Sequence, residues 1–190
     1  MKIAFLGPDG VGKSTVINEL VKSLPTSIDS SYHYLVPGFL PRYRNVNNGT
    51  PVLDPHSSNS HNNFKSILKL LFWFAEYNLG NLFITKSTKL HIFDRYFYDI
   101  LVDPKRYCYG ADLTYASYIA KLISKPDLLI ILDAPTDVIQ SRKQEVCWAE
   151  TERQRKEYLD LKGKFCKTIV INTTSSLQQN VKEIMKVLEF

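Results

Sequence analysis

Gly7-Pro8-Asp9-Gly10-Val11-Gly12-Lys13-Ser14-Thr15 follows directly on the apolar run Lys2 to Leu6 and opens a helical pattern from Ser14 to Leu24. The segment fills the spacing G-x-x-x-x-G-K-[ST] in a strand, loop, helix setting. A plain glycine turn would account for the glycines alone. The lysine, the hydroxyl residue and the flanking elements together point instead to a phosphate-binding loop. Gly10 and Gly12 let successive N–H groups turn inward around phosphate oxygens, and the helix start adds its positive end. In that chemistry Lys13 reaches the β- and γ-phosphates and Ser14 ligates Mg²⁺. ATP and Mg²⁺ are therefore the expected cofactors, held by Gly7, Asp9, Gly10, Val11, Gly12, Lys13, Ser14 and Thr15.

Outward from this loop, short apolar runs alternate with helical patterns, which predicts βαβ units and a parallel sheet covered on both faces. Strands are expected at Lys2 to Leu6, Tyr32 to Val36, Leu90 to Phe93, Leu128 to Leu132 and Thr168 to Ile171, mostly without alternation, as buried parallel strands are. Helices are expected at Ser14 to Leu24, Phe64 to Thr85, Leu113 to Ser124, Thr136 to Arg142, Ala149 to Lys162 and Leu177 to Leu188. The fold class is thus α/β, a three-layer P-loop NTPase fold with a five-stranded parallel sheet flanked by helices. Phe64 to Thr85 is apolar on nearly all sides but too often interrupted by Lys, Glu and Asn to span a membrane, and reads as a core helix lining a pocket. Pro37 to Asn63 reads as a long irregular connection, of the kind that is usually functional or mobile.

The chain has 190 residues, 44% of them hydrophobic, enough for one globular domain spanning 1–190. Its net charge of +5 is compatible with anionic partners but does not choose among them. Cys108, Cys147 and Cys166 have no C-x-x-C spacing, so neither a disulfide framework nor a zinc site is indicated, and a reducing cytoplasm is the expected location. No signal segment or apolar run of membrane-spanning length is read in the chain.

Two strands end in aspartate, Asp94 after Leu90 to Phe93 and Asp133 after Leu128 to Leu132. Carboxyl ends of parallel strands face the ligand crevice, so either carboxylate could organise Mg²⁺ or take a proton from the attacking oxygen. Asp133 is equally placed to cap the helical run after Pro135. Asp94 is followed by Arg95, and with the loop above Phe93-Asp94-Arg95-Tyr96 resembles the thymidylate kinase family. Leu132-Asp133-Ala134-Pro135 followed by Arg142 is similar to that family's strand and the start of its lid, here about 142–152. Glu152 to Tyr158 resembles the helix after the lid. Ile171-Asn172-Thr173-Thr174-Ser175 resembles the last strand and the loop that contacts the donor base, which implies a role for Asn172.

The resemblance implies that Lys13, Asp94, Arg95 and Arg142 are catalytic: Lys13 holds phosphates, Asp94 is the base or metal-organising carboxylate beside Ser14, Arg95 clamps an acceptor phosphate, and Arg142 closes over the transferring group. It also implies that Asp9 contacts a sugar hydroxyl, although a turn-stabilising role fits Asp9 as well. On the acceptor side the chain departs from the family. Only Pro37-Gly38 remains of its R-E-P-G segment, Glu76-Tyr77 stands where an arginine is usual, and Tyr98 to Tyr107 replaces a serine-rich stretch. Lys105, Arg106 or Arg42 could compensate for lost contacts, and Arg42 and Arg44 read equally as surface charges. Arg155 and Lys156 read as a solvated helix face with mixed-sign pairs. Phe72, Trp73, Phe74, Tyr77, Tyr96 and Tyr98 would suit a planar base but are more often plain core at helical spacing.

A GTPase is disfavoured because Asn172-Thr173-Thr174-Ser175 stands where N-K-x-D would be, and a nucleic-acid motor because the chain is short and no strand ends in adjacent acids. The expected reaction is transfer of the γ-phosphoryl of ATP to a nucleoside monophosphate, dTMP first. The alternative is a nucleoside or sugar hydroxyl, with a nucleic-acid-binding ATPase ranked below both. The expected partner is a small-molecule acceptor rather than nucleic acid or a membrane, with a homodimer left open.

Overall fold

The computed structural model describes residues 1–40, 62–84 and 89–189. Five strands, β1 (Lys2–Leu6), β2 (Ser30–Tyr34), β3 (Leu90–Asp94), β4 (Leu128–Asp133) and β5 (Thr168–Asn172), form one sheet in the order β2-β3-β1-β4-β5. Every pairing is parallel, with Ile3 opposite both Ile92 and Leu128. The β1 strand is central and wholly buried, so its side chains divide between the two faces. Ile3 and Phe5 join Ile92, Leu128, Ile130 and Leu132 against α1 (Lys13–Ser23), α5 (Thr136–Arg142) and α7 (Leu177–Leu188). Ala4 and Leu6 join Phe93, Leu129 and Ile131 against α2 (Asn63–Ile84), α4 (Leu113–Leu122) and α6 (Trp148–Asp160). Burying each such large side chain contributes about 1.5–3 kcal/mol. The result is three layers of helix, sheet and helix, the expected architecture.

Two expected boundaries shift for physical reasons. Strand two ends at Tyr34 rather than running to Val36, because Leu35 turns to a left-handed φ of 64° and the chain leaves the sheet edge. Helix α2 is not enclosed: Leu70, Trp73 and Tyr77 are buried at helical spacing, whereas Phe64, Leu68, Leu71 and Leu82 remain more than half exposed. A single helix layer covers that sheet face, so α2 has an inner neighbour and its opposite apolar face lies at the surface. Trp73, Tyr77, Tyr96 and Tyr98 belong to the core beneath it, as their spacing also allowed. Two short elements between β3 and α4 were not expected, α3 (Asp99–Val102) and a 3₁₀ turn at Lys105–Tyr107. Arg42 and Arg44 lie outside the described residues. No helix among the described residues is long and apolar enough to cross a membrane.

Candidate active site

The carboxyl ends of β1, β3 and β4 converge because β1 lies between the other two. From β1 the chain enters the glycine-rich loop. Gly7 adopts φ 145°, and a Cβ there would lie 2.5 Å from the Leu132 carbonyl oxygen at the end of β4, so the loop begins in direct contact with the neighbouring strand. Gly12, at φ 101°, precedes the first turn of α1, where Ser14 and Thr15 are exposed and line the cleft. Lys13 lies back across the loop, its Nζ donating to the carbonyls of Gly7 (2.7 Å) and Pro8 (2.9 Å). Burial, and then the nearby Arg95 guanidinium, pulls its amine down to about 7. Val11 is fully buried and acts on the cleft only through its backbone.

The cleft in front of the loop has a volume of about 630 Å³. Asp9, Lys13, Asp94, Arg95 and Arg142 all line it, as does Arg106 from the 3₁₀ turn. Asp94 is buried at the end of β3, where one carboxylate oxygen accepts from the Tyr32 hydroxyl at 3.1 Å. Its other oxygen, Oδ1, is buried without a hydrogen-bond partner. Such an oxygen is costly to leave unsatisfied and so marks a place where a donor or cation is accepted. Oxygen donors from Ser14 and Asp94 suit Mg²⁺, which keeps most of its shell as water and phosphate. Among the described residues no group of three or more His, Cys, Asp or Glu side chains is placed to hold a metal.

Asp133 behaves differently. Both its oxygens accept from Arg155, from Nε at 2.9 Å and from a terminal nitrogen at 3.0 Å, a bidentate pair that ties β4 to α6. Asp94 thus keeps one oxygen without a protein partner, whereas both oxygens of Asp133 are engaged by Arg155. Arg155 accordingly departs from the solvated role expected of it, while Lys156 keeps that role, paired with Glu152 at 3.3 Å.

Arg95 is the most constrained side chain of the site. Its backbone takes φ 71°, uncommon for a residue with a Cβ and typical of positions fixed by their surroundings. One terminal nitrogen donates to Asp99 Oδ2 at 2.7 Å and the other to Asp9. Burial opposes the charge, but Asp99 together with the hydroxyls of Tyr107, Tyr158 and Tyr34 outweighs it and keeps the guanidinium above its ordinary range. Asp99, fully buried, also accepts from Tyr107 (2.5 Å) and Tyr158 (2.6 Å), whose hydroxyls burial holds in the donating form. Asp9 is thus a partner of side-chain cations, Arg95, Arg106 and, at 3.7 Å, Lys13. Arg106 in turn reaches Asp103 at 3.2 Å and Glu145 at 3.2 Å. Sequence reading missed Asp99, Asp103 and Glu145; the local signals were Asp99 four residues after Arg95 and Asp103 three residues before Arg106.

Arg142, expected to close over the transferring group, and Asn172, expected at the donor base, are placed less uniformly. Arg142, at the end of α5, donates to the Val11 carbonyl (3.3 Å), Thr173 Oγ1 (3.1 Å) and the Thr173 carbonyl (3.0 Å). It therefore faces both the cleft and a neighbouring groove lined by Thr15, Thr173, Ser175, Leu177 and Asn180. Asn172 is exposed, and its side-chain oxygen is engaged by the Thr174 N–H at 3.0 Å and hydroxyl at 2.8 Å. The stretch 142–152 comprises the last residue of α5, five irregular residues and the first turn of α6.

Neither a protein-family model nor a curated protein matches the sequence. Solved structures do match over the whole chain. A structure of deoxyadenosine kinase from M. mycoides with the products dCMP and dCDP is 21% identical, covers 100% of this chain and 99% of its own, and superposes with a TM-score of 0.61. The same enzyme with bound dATP gives 20% identity, full coverage of both chains and a TM-score of 0.59. The chain has the P-loop NTPase fold. At this identity the likeness speaks to that fold alone, and the chemistry rests on the side chains described above.

Proposed function

We propose that this P-loop protein is an ATP-dependent kinase whose acceptor is a nucleoside hydroxyl. The observation that carries the reading is the state of charge at the acceptor end of the cleft. Arg95 is already paired with Asp9 and Asp99, and Arg106 with Asp9, Asp103 and Glu145, while Asp94 keeps a buried oxygen unsatisfied. A dianionic acceptor entering that end would have to displace Asp9 from Arg95 and Arg106 before either guanidinium could hold it, at a cost that grows as water is excluded. A neutral hydroxyl meets what it needs, an acceptor for its proton. The structural likeness to a deoxyadenosine kinase supports the same class of acceptor.

In this reading the loop N–H groups and Lys13 hold the donor phosphates, and Lys13 swings from the Gly7 and Pro8 carbonyls to do so. Ser14 would hold Mg²⁺, with Asp94 ordering a water of its shell, and the ion would supply charge neutralisation at the donor phosphates. Asp94 Oδ1 receives the proton of the acceptor hydroxyl as its oxygen forms the new P–O bond, and ADP leaves with the electrons of the bond that breaks. Arg142, fixed to Val11 and Thr173, borders the groove that takes the donor base, where a planar guanidinium can stack. Stretch 142–152 serves as the lid.

A nucleoside monophosphate, dTMP first, is the second reading. It is favoured by Arg95 following the strand-end Asp94, since a guanidinium there can hold a phosphate through two parallel bonds once Asp9 withdraws. A coupled-ADP assay with deoxynucleosides, nucleoside monophosphates and hexoses tests both. Turnover confined to unphosphorylated nucleosides is the expected result; a preference for dTMP moves the acceptor assignment to the second reading, and no ADP with any of them removes both.

A further inference from the structure

Resting on the kinase reading above, a narrower question is which cation neutralises the phosphoryl group as it transfers. Loops that carry no arginine, as here with Gly10 and Val11 between Asp9 and Gly12, leave that charge to another element. The segment after β4 is the obvious source, and its Arg142 and Lys143 do line the cleft, but both are held by partners there. Arg142 is held by the Val11 carbonyl and Thr173. Lys143 is 56% exposed and pairs with Glu145. Arg153 turns to Glu150, Glu157 and the Val102 carbonyl, and Arg155 grips Asp133.

Arg106 approaches from the opposite wall. Its Nε is held by Asp103 Oδ2, which is almost fully buried, at 3.2 Å, and its backbone N–H donates to Oδ1 of the same carboxylate at 3.2 Å. The root of the side chain is therefore fixed while its fork projects into the cleft. One terminal nitrogen reaches Asp9, inside the phosphate loop itself, and Glu145, on the connection between α5 and α6. Carboxylate and phosphoryl oxygens satisfy a guanidinium through the same geometry, so Asp9 marks where a phosphoryl oxygen can be taken.

We propose that Arg106 is a catalytic residue that exchanges Asp9 for an oxygen of the transferring phosphoryl group, so that the transition-state cation comes from the 3₁₀ turn after β3 and not from the lid. The ion pair with Glu145 then ties closure of the 142–152 stretch to the delivery of that charge. Arg95 is the less suited of the two, because Asp99 and the buried surroundings hold it from behind at 5% exposure, against 16% for Arg106.

The test compares Arg106→Ala and Arg106→Lys with wild type in two reactions, acceptor-dependent ADP release and acceptor-free hydrolysis of ATP. The second needs no knowledge of the acceptor, so failure of the acceptor assignment is separable from failure of this proposal. Arg106→Ala should lower kcat in both reactions by ~10²- to 10³-fold while the KM for ATP stays within about twofold, the pattern of an interaction made only in the transition state. Millimolar guanidinium should restore part of the loss. MgADP should bind both variants as it binds wild type, whereas the gain in affinity from adding aluminium fluoride, a mimic of the transferring group, should disappear. Arg153→Gln, on the outer side of α6, should leave kcat unchanged. If Arg106→Ala does not fold, Arg106→Lys carries the same comparison. Unchanged hydrolysis, a loss confined to the KM of dTMP, or an undiminished aluminium fluoride effect would each overturn the proposal.

Discussion

The two halves of the cleft are built by different means. The donor half is local: one strand, nine consecutive residues and one helix place the amides, Lys13, Ser14 and Thr15. The acceptor half is assembled over distance, with Asp9, Arg95, Asp99, Asp103, Arg106, Glu145 and Tyr158 meeting from four separate stretches of chain. A local site is rigid because its backbone allows little else. An ion-pair site is rigid only while every partner is present, so the same substitution size should do more structural harm on the acceptor side.

The largest effect should fall on the donor half. Lys13→Ala is expected to reduce phosphotransfer to background while circular dichroism and the thermal midpoint stay close to wild type, since the lysine's bonds are to loop carbonyls that water can satisfy. Retained turnover would remove the phosphate-loop assignment.

At the junction of the halves, Asp94→Asn should lower kcat by at least ~10²-fold. Asp133→Asn, which weakens the Arg155 pair, should be read mainly in stability. The reverse outcome would show that the wrong strand end has been assigned the chemistry.

Asp99→Ala sharpens the structural contrast. It strips one carboxylate from Arg95, Tyr107 and Tyr158 at once, and removing one partner of a buried charge pair costs roughly 3–5 kcal/mol. In a chain of this size that is a fall of about 6–20 °C in Tm. A shift of a degree or two would mean that the acceptor half tolerates rearrangement.

A smaller effect is expected for Arg142→Ala, a several-fold rise in the KM for ATP with kcat little changed, in keeping with contacts to Val11 and Thr173. A collapse of kcat at constant KM would return Arg142 to the transferring group.

The subtlest readout is protonic. Lys13 titrates near 7 when folded against the loop but near 10.5 when free, so between those values the unfolded chain binds the additional proton and Lys13 makes stability rise with pH. ATP, by favouring the charged amine, should draw a proton in across the same window. Calorimetry in buffers of different ionisation enthalpy should show net proton uptake near pH 8.5 that Lys13→Met abolishes.

What sequence reading could reach follows the same division. The β1 strand and the helices α5 and α7 fall where their patterns predict, because each is bounded by a local signal, Gly7 after β1, Pro135 before α5 and Ser176 before α7. The α7 start even carries the reciprocal Ser176 and Gln179 capping box. The β2 strand was misplaced because an edge strand buries little, and its half-exposed Ser30–Tyr34 looks less strand-like than the apolar residues just beyond it. The α3 and 3₁₀ elements are four and three residues long, below what any periodicity can resolve. Asp94 and Arg95 were legible as a pair. Their environment was not, since the partners of Arg95 include one residue 86 positions away in the chain. Arg155 misled for the opposite reason: a helix face of mixed charge does not reveal that one of its cations reaches back to a strand end.

The central position of β1 also bears on synthesis. This strand and its glycine-rich loop leave the ribosome well before both neighbours that β1 pairs with, which lie far downstream at Leu90–Asp94 and Leu128–Asp133. At ~5–20 residues per second, roughly ten seconds separate the appearance of the strand from that of its second partner. Until β3 emerges the four apolar residues Ile3 to Leu6 have no edge to pair with, and until β4 follows Gly7 lacks the Leu132 carbonyl against which it is shaped. The nascent chain therefore passes through a period in which its most recognisable motif exists as sequence only, and in which a chaperone that binds short extended apolar segments has its clearest opportunity.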